Sequence, residues 1–127
     1  MDSEPQLSDS EYTLRDLKER IRAFAQARDW EQFHAPKNLA MALAAEVGEL
    51  MEHFLWIDAE ESRCLCDDRP KQEKVADEVA DVLIYALRFA DVAGIDPAQA
   101  VLAKLARNEE RYPVEKAKGS SAKYDQL

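Results

Sequence analysis

The chain has 127 residues, 46% of them hydrophobic, enough for one domain with a real core. Three glycines and five prolines are too few for a fold of many short strands and turns, so composition points to an all-α protein. A net charge of −9 argues against general affinity for a nucleic-acid backbone, and a polyanionic small substrate would need a local basic patch.

Residues 1–12 are polar and acidic and read as a disordered leader, without the basic and apolar regions of a signal peptide. No apolar run is long enough to span a membrane, and the expected location is the cytoplasm. Thr13-Leu14-Arg15-Asp16 resembles a capping box that opens a helix to about Arg28, with Leu14, Leu17, Ile21, Phe24 and Ala25 at helical spacing. Asp29 to Ala35 is a short aromatic connection. Pro36, at a position that needs no N–H donor, opens a second helix to about Trp56.

Ile57 to Arg69 is charged and without clear periodicity, which predicts a loop with at most one helical turn. Cys64 and Cys66 are one residue apart, too close for an unstrained bridge, and read as reduced thiols. A long third helix begins near Asp68 to Pro70 and stops at Gly94, a left-handed cap. Asp96-Pro97-Ala98-Gln99 opens a fourth helix to about Arg111, and Pro113 ends it. The expected organisation is a leader (1–12), a four-helix-bundle-like domain (13–112) and an irregular C-terminal arm (113–127). From Val101 to Leu127 basic residues outnumber acidic ones six to four, so this segment carries positive charge that the rest of the chain lacks.

Two acidic pairs interrupt otherwise apolar patterns. In the second helix Leu39, Leu43, Leu50 and Ile57 form a stripe whose spacing also places Glu46 and His53 on it. A carboxylate in such a seam is costly unless its charge is compensated. Glu49 follows Glu46 by three residues, about 60° around the helix and about 4.5 Å along it, so the two converge on one cation. The third helix is apolar over most of its circumference at Val75, Val79, Val82, Leu83, Ala86, Leu87 and Phe89. Its remaining face reads Lys74, Glu78, Asp81, Tyr85 and Arg88. Four carboxylates on two facing helices are hard oxygen ligands suited to Mg²⁺ or Mn²⁺. A di-iron bundle fits poorly, because His53 follows Glu49 by four and the third helix has no histidine. Gly48, between the first two glutamates, allows either a close approach or an overlying bulky side chain.

Arg28-Asp29-Trp30-Glu31-Gln32-Phe33-His34, then Asn38, Glu46-Val47-Gly48-Glu49, Trp56, Glu78 to Asp81, Tyr85 and Asn108 to Pro113 together resemble the MazG-like all-α nucleotide pyrophosphohydrolases, in particular their dCTP pyrophosphatase branch. The resemblance covers about Leu14 to Leu127. It implies that Glu46, Glu49, Glu78 and Asp81 hold Mg²⁺ against a nucleoside triphosphate. It further implies that Trp30, His34, Asn38, Trp56 and Tyr85 surround base and sugar, and that Lys104, Asn108, Arg111 and Tyr112 contact phosphates or shape their pocket. The implied assembly is a homotetramer, with Lys116, Lys118, Ser120, Ser121 and Lys123 free to close over phosphates. The expected reaction yields monophosphate and pyrophosphate, with one glutamate, here Glu49, activating water. The rival is a non-enzymatic helical adaptor in which Lys74, Arg88 and Arg107 pair with the acidic seams.

Overall fold

The computed structural model describes residues 7–127. Helices and short turns make up its regular structure, with no strand among the described residues, so the all-α class holds. No helix among them is long and apolar enough to cross a membrane. Of the expected leader, residues 1–6 lie outside the described residues, while 7–12 contain a turn in which the Glu11 and Tyr12 N–H groups donate to the Ser8 carbonyl at 2.9 and 3.1 Å.

The chain divides into two compact units, Met1–Gly94 and Ile95–Leu127. In the first, α1 (Leu14–Ala27) opens with the expected box: Thr13 Oγ1 accepts from the Asp16 N–H at 3.1 Å, and Asp16 Oδ2 accepts from the Thr13 N–H at 2.9 Å. The box satisfies two N–H groups that the first helical turn leaves free. After α1 the backbone turns at Asp29, whose φ of 54° is left-handed, a conformation that Asp tolerates better than bulkier residues. Gln32 Nε2 steadies it by donating to the Asp29 carbonyl and carboxylate at 3.0 and 3.1 Å. A 3₁₀ turn, Glu31–Phe33, leads into α2 (Pro36–Glu52).

The second helix ends four residues before the expected Trp56. The His53 and Phe54 N–H groups bond back three residues, to Leu50 and Met51, and this tighter turn takes the chain off the α-helical path. The expected loop after it contains α3 (Ala59–Cys64) and a 3₁₀ turn, Leu65–Asp67. Asp58 caps α3 by accepting from the Glu61 N–H at 2.8 Å, and Glu60 and Glu61 sit in its first turn, where acidic charge suits the helix dipole. Both cysteines there are free and exposed.

The longest helix, α4 (Arg69–Val92), is capped by Asp68 and followed by Gly94 in the expected left-handed conformation, φ 70°. α2 packs along α4 as the principal contact of the unit, and α1 also lies against α4. The α2 stripe is the inner face: Leu39 is buried, and Leu43, Glu46, Leu50 and His53 are half-buried, whereas Met41, Val47 and Met51 are exposed. α4 turns residues of both kinds inward: Leu87 and Ala90 are buried, and Val75, Val82, Ala86 and Phe89 are half-buried. The polar seam Glu78, Asp81, Tyr85 and Arg88 is wholly or partly buried, while Val79 and Leu83 face outward.

In the second unit Asp96 caps α5 (Pro97–Arg111), accepting from the Gln99 N–H at 2.9 Å. The arm beyond it contains α6 (Val114–Ala117) and a 3₁₀ turn, Tyr124–Gln126. Tyr124 folds that turn back within the unit, edge-on to Tyr112 at 6.1 Å and beneath the Arg111 guanidinium at 4.9 Å.

Candidate metal centre and adjoining groove

Glu46 and Glu49 from α2 and Glu78 and Asp81 from α4 each bring a carboxylate oxygen to within 4.8 Å of the others. The i, i+3 spacing on each helix and the α2–α4 packing produce this convergence without any irregular backbone. Glu46 Oε2 and Glu78 Oε2 are buried and have no hydrogen-bond partner. Buried oxygens of this kind are ordinarily paired, so these two are satisfied only by something the protein chain does not itself supply.

The electrostatics agree. Burial first, and then the charges of Glu49 and Asp81, hold the Glu46 carboxyl above its ordinary value. Glu78 is raised too, by burial and then by Glu49, and His53, with Nε2 3.9 Å from Glu78 Oε1, only partly offsets this. None of the ion pairs among the described residues brings a Lys or Arg to these four carboxylates. The donor set is all hard oxygen, crowded and without a Lys or Arg partner, and it fits a divalent cation. Glu49 is the most exposed of the four. At Gly48 an added Cβ would meet nothing within 4 Å, so the close approach considered from sequence is not made within the chain.

Beside the cluster, Trp30, His34, Asn38 and Tyr85 line a groove of ≈ 280 Å³. Trp30, His34 and Tyr85 also border a neighbouring hollow of ≈ 210 Å³ that reaches Asp81 and Arg88. Four of the expected base-and-sugar residues are thus gathered next to one of the expected metal ligands. Trp30 is positioned by its N–H to the Ala25 carbonyl at 2.9 Å and by an edge contact with Phe24 at 5.6 Å. Asn38 Nδ2 donates to the Phe33 carbonyl at 3.1 Å, which leaves Oδ1 free. Trp56 lines neither hollow and stands 92% exposed in the turn after α2. Lys104, Asn108 and Arg111 belong to the second unit, where they are spaced by four and three residues along one face of α5, and Tyr112 caps that helix.

A polar network at the C-terminal half of α4 was not singled out from the sequence. Arg88, only 5% exposed, donates from Nε to His34 Nδ1 at 2.9 Å, from Nη1 to Asp91 Oδ2 at 3.2 Å and from Nη2 to Glu31 Oε1 at 3.5 Å. Arg22 grips Asp91 with two bonds of 2.6 and 2.8 Å. The one available signal was Arg88 itself, a cation set between Leu87, Phe89 and Ala90. Arg88, one of the partners the adaptor reading offered to the acidic seams, is thus engaged by His34, Asp91 and Glu31 instead.

The MazG-like family model matches residues 41–127, a span that includes all four carboxylates. The chain belongs to the MazG-like family. It is 43% identical over 118 residues to dCTP pyrophosphatase 1 of Bos taurus, an overlap of 93% of this chain and 70% of the relative. It is likewise 43% identical to dCTP pyrophosphatase 1 of Homo sapiens, over 92% of this chain and 69% of that protein. Among solved structures, a pyrophosphatase from Archaeoglobus fulgidus matches with a TM-score of 0.75 at 38% identity, across 85% of this chain and 99% of that one. This MazG-like chain is accordingly an enzyme, a nucleotide pyrophosphohydrolase, and the adaptor reading falls.

Proposed function

We propose that this MazG-like enzyme is a Mg²⁺-dependent dCTP or modified-dCTP pyrophosphohydrolase, converting the triphosphate to monophosphate and pyrophosphate in cytoplasmic nucleotide-pool sanitation. The observation that carries the reading is the four-carboxylate cluster with two buried, unpartnered oxygens. Glu46, Glu49, Glu78 and Asp81 would hold Mg²⁺, with Mn²⁺ as an alternative occupant. Bound there, the cation would neutralise phosphate charge and lower the pKa of a coordinated water. Glu49, nearest solvent and adjacent to both Glu46 and Glu78, is assigned to orient or deprotonate the attacking water.

Trp30 and Tyr85 supply aromatic faces for the base, while His34 and Asn38 read its edge. The likeness to dCTP pyrophosphatase 1 supports the substrate preference. Trp56, Lys104, Asn108, Arg111 and Tyr112 are assigned to the same substrate, and the arm 113–127 to phosphate binding or assembly. A homotetramer is supported by the outward apolar side chains Val79 and Leu83 on α4, Met51 near the end of α2, and Leu55 and Trp56 in the turn that follows it, which a single chain leaves in water. A hydrolysis screen over common and modified deoxynucleoside triphosphates with Mg²⁺ tests the assignment. Cytosine nucleotides should give the highest kcat/KM, and a preference for purine nucleotides would reject the proposed substrate.

A further inference from the structure

We propose that Arg88 is a positioning residue for nucleotide recognition: it locks His34 as the Nε2–H tautomer, so that the groove presents a fixed hydrogen-bond donor at that edge. The proposal rests on the reading above that His34 borders the bound nucleotide.

Arg remains charged at any working pH and only donates, so the atom 2.9 Å from Arg88 Nε must be an acceptor. A neutral imidazole has one acceptor nitrogen, here Nδ1, and its proton is thereby confined to Nε2. Rotating the ring by half a turn would set a carbon against Nε, so the same bond fixes the ring's orientation. Among the described residues Nε2 has no partner, and the imidazole lines both hollows beside Trp30 and Tyr85.

The rest of the network aims Arg88 rather than merely neutralising it. Asp91 is already gripped by Arg22 at 2.6 and 2.8 Å, and its contact with Arg88 is longer, 3.2 Å. The shortest bond Arg88 makes is the one to His34. Asp91 and Glu31 hold the two Nη ends of a rigid planar fork whose Nε–H points at the imidazole. Burial, and then the adjacent Arg88 charge, also hold the His34 pKa below its ordinary value, so the neutral ring is favoured.

Pyrimidine and purine rings both carry ring-nitrogen or carbonyl acceptors. A donor of settled identity and direction discriminates among nucleotides more sharply than an imidazole free to rotate and exchange tautomers. Arg88 thus acts on specificity through His34.

The chain has two histidines, which makes the test direct. A long-range ¹H–¹⁵N correlation spectrum of the wild-type protein, with His34 assigned by its loss in His34→Ala, should show a protonated Nε2 and a bare Nδ1. Steady-state kinetics on a hydrolysable deoxynucleoside triphosphate then complete a cycle. Arg88→Met should raise KM about tenfold, the scale of one hydrogen bond, while kcat changes less than about twofold. In the His34→Ala background the same substitution should change KM less than about twofold. Arg88→Lys, which keeps a donor, should recover part of the loss. Protonation at Nδ1, or an equal effect of Arg88→Met with and without His34, overturns the proposal. If Arg88→Met fails to fold, the wild-type spectrum together with Arg88→Lys decides. A raised KM in His34→Ala beside an unchanged KM in Arg88→Met sinks the proposal alone. A parental KM in His34→Ala instead removes His34 from the groove, and the proposal with it.

Discussion

Replacing Asp91 with Ala should destabilise the first unit by about 3 kcal/mol. Asp91 is the shared acceptor of two guanidiniums, and its side chain is 12% exposed. Removing one partner of a buried ion pair ordinarily costs about 3–5 kcal/mol, because the other charge stays buried without compensation. Two features place this case at the lower end. Arg22, 42% exposed, can return its charge to water, and Arg88 keeps Glu31 at 3.5 Å. Urea unfolding at fixed protomer concentration measures the effect. With a slope of about 1.5–2 kcal/mol/M for a domain of this size, the midpoint should fall by about 1.5–2 M. The Arg22 bonds, foremost, hold the Asp91 pKa below 3.8. Its contribution is therefore complete above 3.8 and is lost as pH falls through the lower folded value, so the difference between variant and parent should narrow in acid. A change under about 0.5 kcal/mol at neutral pH, the scale of a surface pair, would show that the network carries no structural weight.

Glu46→Gln and Asp81→Asn should each abolish metal-supported hydrolysis while leaving the helical circular dichroism intact, and a parental turnover rate in either rejects the four-carboxylate site. Because Glu46 and Glu78 titrate above 4.5, ionising them costs the folded state. Thermal scans of metal-free protein should therefore show stability falling as pH rises from 4.5 through their raised values, and saturating Mg²⁺ should remove the fall. An unchanged profile with and without Mg²⁺ would contradict this. Trp30→Ala should weaken nucleotide binding by about 1–3 kcal/mol without altering pyrophosphate affinity, as loss of base stacking requires. Trp56→Ala, at a fully exposed position, should leave stability within about 0.5 kcal/mol yet weaken nucleotide binding, and unaltered nucleotide affinity would take Trp56 out of the site.

Local chemistry made much of this fold readable. Thr13, Asp68 and Asp96 carry their caps in short-range hydrogen bonds, and Gly94 supplies the left-handed turn, so four helix boundaries needed no tertiary information. The acidic cluster was readable because its parts repeat an i, i+3 spacing on two helices, which the α2–α4 packing then faces together. Long-range partners were not. Arg88 lies on the seam that the helical period assigns to it, but its partners come from residues 54 and 57 positions earlier, which no periodicity encodes. The same limit applies to α4, where spacing identified an apolar face and a polar face without saying which one α2 covers. α2 was read too long because Phe54 and Leu55 continue an apolar pattern after the hydrogen bonding has tightened.

Phosphorus NMR of a deoxycytidine triphosphate reaction shows whether the four converging carboxylates support cleavage between the α and β phosphorus atoms. The spectrum would be followed with Mg²⁺, with chelator, and with Glu46→Gln. Monophosphate and pyrophosphate should form in equal amounts with Mg²⁺, with no turnover in the other two samples. Accumulation of nucleoside diphosphate with orthophosphate, or undiminished turnover in the presence of chelator, would contradict this.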